Sequence, residues 1–174
     1  MFPDVCLKSV DNHMFMVPYE VACVSGHIKE TLDISDQYDE NPTFDLMTIN
    51  GSTLEAIVAY MKNFKETPFE TPLKKPVDFA GLPSYCNELL DNTKFIYEAS
   101  DPRVSLTSIL FGANMLKIDS LMNIIVAKFS SSIAGKNVKQ MFALFDIPED
   151  TVVTQEEVQQ LQKDYAYAFE SLNS

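Results

Sequence analysis

Two histidines, three cysteines and a surplus of carboxylates are the residues that could carry chemistry in this 174-residue chain. His13 falls on an expected turn and His27 on an expected helix. Neither has a second ligand at metal-binding spacing, so both read as surface histidines. Cys6, Cys23 and Cys86 form no C-x-x-C pair and have no basic or histidine-bearing setting. Small buried hydrophobes are the expected role, rather than nucleophiles or a disulfide framework. The stretch "ETLDISDQYDENPTFD" puts six carboxylates in sixteen residues without a base. It lacks the spacing and the glycine of an EF-hand, so a solvated acidic loop is expected. The five glycines build no G-x-G-x-x-G, no P-loop and no G-x-S-x-G elbow. Abundant carboxylates in an acidic chain do not by themselves mark a catalytic pair. The expectation is a non-enzyme, with no catalytic residue, cofactor or metal.

The elements that would position any site alternate at first and then turn helical. Val5, Leu7, Met14 and Met16 predict two short strands joined by a tight turn at Asp11-Asn12. Residues 19–32 predict one helix despite Gly26, on the spacing of Val21, Val24, Ile28 and Leu32. A short strand is expected at 43–49. A helix over 50–64 follows, with Ser52 and Glu55 as its capping box and Leu54, Ile57, Val58 and Met61 as its apolar stripe. Four prolines (Pro68, Pro72, Pro76 and Pro83) make residues 65–84 the main loop. Helix is expected again from Ser84 until Asp101-Pro102 interrupts it. Two apolar helices within 109–134 flank a break at Lys117-Ile118-Asp119, with Asp119 able to cap the second and Gly135 to end it. A short helix at 137–147 carries Val138, Met141, Leu144 and Phe145. A last helix opens on a Thr154/Glu157 capping box and carries Val158, Leu161, Tyr165, Ala168 and Leu172. Strands and helices at the front, then only helices, give an α+β domain with a helical appendage.

The totals narrow the partners. Hydrophobic residues make up 46%, enough for a core, and the formal net charge is -12. Such an anion is repelled by phosphate backbones and acidic lipids, so no nucleic acid and no membrane partner is expected. No 18-residue apolar window and no signal-like N-terminus occurs, and the cysteine usage fits a reducing compartment. The helix after the break is apolar on more than one side, and the appendage behind it is small. Leftover apolar surface marks an interaction site. A groove lined by Ile133, Met141, Phe145, Tyr165, Tyr167 and Phe169 would suit a partner's amphipathic helix.

At these residues the chain resembles a known family. "GANMLKIDSLMN" is similar to the A-A-N-Y-L-D-I-K-G-L-L-D signature of the S-phase-kinase-associated adaptors of cullin–F-box ubiquitin ligases. The similarity runs on through "IAGKNVKQMFALFDI" and resumes at "TQEEVQQLQKDYAYAFE". At the front, "VACVSGHIKETL" and "LMTINGSTLEAIVAYMKNFKETP" also align, with register lost around 69–100. The resemblance implies a BTB/POZ fold over 1–134 and two additional helices forming an F-box-binding extension over 135–174. It implies a non-catalytic adaptor between F-box proteins and a cullin, acting in cytoplasm and nucleus, with weak self-association left open. Asn114, Met115 and Lys117 would face the cullin; Ile133, Met141, Phe145, Ile147, Tyr165, Tyr167 and Phe169 would face the F-box. Met115 stands where the family has Tyr, Lys117 where it has Asp, Ser120 where it has Gly, and Tyr167 where it has Trp. An F-box-binding BTB protein that has lost cullin binding, or an elongin-C-like BTB module, remain alternatives; the terminal helices count against the second.

Overall fold

A computed structural model describes residues 4–34, 41–74, 77–95, 104–145, 147–148 and 154–164. The chain forms two compact units, residues 1–136 and 137–174. In the first, β1 (Val5–Ser9) pairs antiparallel with β2 (Met14–Val17) and parallel with β3 (Thr43–Leu46), in the order β2-β1-β3. The expected hairpin is present. Asn12 closes it at φ 63, a left-handed conformation that asparagine tolerates. The register pairs Val5 with Val17 and Leu7 with Phe15. The apolar face of β2 is therefore Phe15 and Val17. Met14 and Met16, read from the sequence as its apolar positions, point to the exposed face.

The hairpin also anchors a helix. Asp11 accepts the Gly51 amide at 2.7 Å and the Ser9 hydroxyl. These bonds, the Ser9 hydroxyl foremost, hold its carboxyl below the usual range. Helix α3 (Gly51–Glu66) starts there, and Asn50, not the expected Ser52/Glu55 box, is its cap, accepting the Thr53 amide at 2.8 Å. Its stripe of Leu54, Ile57, Val58 and Met61 is buried as the spacing predicts. A Cβ on Gly51 would lie 2.5 Å from the His13 Nδ1, so the close hairpin–helix approach uses a residue without a side chain.

The single helix expected over 19–32 is two, α1 (Tyr19–Ala22) and α2 (Gly26–Ile34). Ser25 breaks it. Its hydroxyl accepts the Ile28 amide and donates to the Leu116 carbonyl, a side-chain cap that requires a partner far along the chain. The helix expected from Ser84 is shorter than read: α4 ends at Asp91. Helices α5 (Leu106–Met115) and α6 (Asp119–Ile133) flank the expected break. Ser105 caps α5. Asp119 makes no cap bond and instead places its charge in the first turn of α6, where the helix dipole favours it. Gly135 follows α6 at φ 73, as a C-terminal glycine should.

The core of this unit gathers Leu7, Leu54, Ile57, Ile109, Leu121 and Ile125, all with no exposed surface. Cys6 and Cys86 are buried and Cys23 is half-buried. Burial pushes the Cys86 thiol up to about 11. Two pH units above the ordinary value lower its thiolate fraction roughly a hundredfold. Iodoacetamide at pH 8 should therefore alkylate Cys23 of the native protein at least about tenfold faster than Cys86. Mass-spectrometric rates that make the two equal would contradict this packing.

In the second unit, α7 (Val138–Leu144) opens on a capping box of Asn137 and Gln140. Helix α8 (Gln155–Asp164) opens on the expected box: the Thr154 amide donates to Glu157 at 2.9 Å and the Glu157 amide to the Thr154 hydroxyl at 3.3 Å.

Candidate partner-binding surfaces

The first surface is the α5–α6 turn. Helix α5 ends in a Schellman pair: the Ile118 amide donates to Ala113 O at 2.8 Å and the Lys117 amide to Asn114 O at 3.1 Å. The residue between, usually glycine, is Lys117 at φ 51. A left-handed lysine costs about 1–2 kcal/mol. Three interactions oppose that cost. Ile118 is buried, the Lys117 carbonyl accepts the Gly26 amide at 3.2 Å, and the Lys117 ammonium pairs with Glu30 at 2.5 Å. The hydrogen bond from Lys117, and then its charge, hold the Glu30 carboxyl below the usual range. The His27 amide donates to Leu116 O at 3.2 Å, so the otherwise unpaired first amides of α2 are used to fix this turn. Gly26 permits the approach, since a Cβ there would meet the Lys117 Cβ and carbonyl at 3.2 Å.

The fixed turn leaves Asn114, Met115 and Lys117 exposed together. The sulfur of Met115 accepts the Thr48 hydroxyl at 2.9 Å. Phe111, one helical turn earlier, is 53% exposed and extends the apolar strip, with Met47 exposed beside Thr48. Phe111 was not among the residues singled out from the sequence. Its i, i+4 spacing from Met115 was the available signal. The ring borders a pocket of about 270 Å³ lined with the hydroxyls of Thr48, Thr107 and Ser108.

The second surface lies on α6. One face, with Leu121, Ile124 and Ile125, is buried, and Phe129 packs edge-on against Phe95 at 5.2 Å between ring centres. The other face borders a groove of about 560 Å³ between Val126, Ala127 and the loop residues Leu73 and Phe79. Lys128 lies 5.9 Å above the Phe79 ring. Ile133 ends this helix in the first unit. In the second unit, Met141 on α7 and Phe145 at its C-cap fall one turn apart, and the Phe145 amide donates to Met141 O at 3.0 Å. Ile147 follows, its amide on Phe142 O at 2.8 Å. Tyr165, Tyr167 and Phe169 lie outside the described residues.

Among the described residues no group of three or more His, Cys, Asp and Glu could hold a metal ion, and no helix is long and apolar enough to cross a membrane. The nearest approach to a dyad is His13 Nδ1 at 3.1 Å from Asp11 Oδ2, which belongs to the hairpin turn.

The profile of the Skp1 family, dimerisation domain, matches residues 119–168. Similarity to curated proteins runs over nearly the whole chain. SKP1-like protein 4 of Arabidopsis thaliana is 29% identical over 166 residues, covering 95% of this chain and 96% of that protein. The S-phase kinase-associated protein 1 homolog of Tetrahymena thermophila is 29% identical over 170 residues, covering 96% and 95%. The chain resembles the Skp1 family, by the profile match over residues 119–168 and by 29% identity to these two relatives. The SCF ubiquitin ligase complex protein SKP1a of Dictyostelium discoideum is 24% identical over 162 residues, covering 92% of each. The α+β architecture described above, with α7 and α8 after the strands and helices of the first unit, accords with the BTB/POZ-like fold of the Skp1 family.

Proposed function

We propose that this chain is a divergent Skp1-family member and a non-catalytic adaptor that bridges F-box substrate receptors to a cullin scaffold in a ubiquitin ligase. The observation that carries the reading is the similarity, over 92% of this chain, to two relatives named as SCF ubiquitin ligase complex proteins. Residues 1–134 serve as the BTB/POZ domain and 135–174 as the F-box-binding extension. Asn114, Met115 and Lys117 form the cullin surface. Ile133, Met141, Phe145, Ile147, Tyr165, Tyr167 and Phe169 form the F-box surface. The adaptor acts in cytoplasm and nucleus, and catalyses no step itself.

What supports the cullin assignment is the build of the turn: exposed, apolar at Phe111 and Met115, and fixed by α2 before any partner arrives. Preorganisation of this kind lowers the entropy lost on binding. A second reading, in which F-box binding is kept and cullin binding lost, is favoured by two residues of the same turn. Met115 has neither the ring nor the hydroxyl of the family's Tyr. Lys117 reverses the family's charge, although Glu30 neutralises it locally.

Reconstitution separates the readings. The purified chain is mixed with an F-box protein and the N-terminal region of a cullin, and complexes are resolved by size-exclusion chromatography with light scattering. A three-component complex is the expected result. A chain that takes the F-box protein alone supports the second reading, and one that takes neither overturns both.

A further inference from the structure

Helix α3 carries two stripes. Leu54, Ile57, Val58 and Met61 are in the core, whereas Glu55, Ala56, Ala59 and Asn63 run along a neighbouring face that is largely open. Helix α4 (Ser84–Asp91) lies beside it and presents Tyr85, Glu88 and Leu89 at helical spacing, with Asn92 at its C-cap. Between them is a groove of about 470 Å³. Its floor is apolar, from Ala56, Ala59, Leu89 and Val104, and its only charged lining residues are Glu55 and Glu88. Neither carboxylate has an ion pair or a side-chain hydrogen bond among the described residues.

The occupant is selected by charge and shape. A floor of alanines between two helices admits a third helix at close approach, because backbones can near one another where side chains are small. The two unpaired carboxylates favour cations at its rim. A second copy of this chain, with net charge -12, would meet repulsion, as would nucleic acid or an anionic membrane. We propose that the α3–α4 groove is a docking site for a cationic amphipathic helix of a partner protein, its small apolar face on Ala56, Ala59 and Leu89 and its Lys or Arg side chains on Glu55 and Glu88. This surface is separate from the α5–α6 turn and from the outer face of α6, so it could be occupied while those surfaces are engaged.

The test uses a fluorescein-labelled synthetic Leu/Lys amphipathic helix of about five turns and the full chain, with binding followed by anisotropy. The double variant Glu55→Lys/Glu88→Lys should weaken binding about tenfold or more. Ala59→Phe fills the floor without changing charge and should also weaken it severalfold. Glu20→Lys/Glu66→Lys makes the same net-charge change at exposed positions outside the groove and should stay within about twofold of the parent. Amide shifts in a ¹⁵N spectrum should move along α3 and α4. Equal losses in both charge variants, an unaffected Ala59→Phe that melts like the parent, or shifts confined to other elements would overturn the proposal.

Discussion

Removal of residues 154–174 is expected to weaken F-box binding about a thousandfold while the first unit melts as before. The removed segment contains α8 and the aromatics Tyr165, Tyr167 and Phe169. Interface energy concentrates in a few aromatic anchors, each worth ~2 kcal/mol or more on truncation. Two such anchors give ~4 kcal/mol, which is about three decades in affinity. The buried core from Val5 to Ile125 lies entirely within residues 1–136, so its cooperative unfolding should persist. Within the segment, Tyr167→Ala alone should cost at least about tenfold, and Tyr167→Trp should hold or improve affinity. Calorimetric titration of an F-box peptide, with a circular-dichroism melt of each variant, reads both quantities. Undiminished affinity in the truncated chain would remove the C-terminal extension from the F-box surface. A negligible loss at Tyr167 beside a large one for Phe169→Ala would move the anchor by two residues.

Met115→Lys is expected to abolish cullin binding and leave F-box binding intact. Met115 is 39% exposed in the free chain, so a lysine there can reach solvent and the fold should tolerate it. In the complex the same lysine would be a desolvated charge without a designed partner. That costs at least a few kcal/mol, or on the order of a hundredfold in affinity. Surface-plasmon-resonance titrations with a cullin N-terminal region and with an F-box peptide give the contrast. If both affinities survive, the α5–α6 turn is not the cullin surface. The neighbouring Lys117→Asp change would not substitute for this test, because it also removes the ion pair to Glu30 that helps hold the turn.

Local patterns were the legible part of this chain. The Asp11-Asn12 turn, the buried stripe of α3, the Thr154/Glu157 box and the glycine after α6 each depend on residues within a few positions of one another, and each is present. The misread features depend on distant partners. Nothing near Ser25 in sequence says that its hydroxyl will find the Leu116 carbonyl, so a helix was expected to run through it. Ser52 and Glu55 match a capping box, but the Asp11 carboxylate on the Gly51 amide starts the helix two residues earlier and gives the cap to Asn50. The facing of β2 could not be read because Met14 and Met16 are as apolar as their neighbours. Pairing with β1 decided it. Of the candidate surfaces, Asn114, Met115 and Lys117 are named by the family resemblance alone, and the exposed Phe111 beside them is not legible in the sequence because a Phe on an apolar helix looks like core.

The bond from Ser25 to Leu116 spans 91 residues. A contact of such separation closes a long loop of chain, and its entropic cost is met only by a largely assembled unit. The left-handed Lys117 and the amides of Gly26 and His27 depend on the same closure. A peptide copied from α5 and α6 would keep every side chain of the turn and lose the restraint that orders them. The turn is thus encoded by two stretches of sequence, and its shape belongs to the finished unit rather than to the segment that bears it.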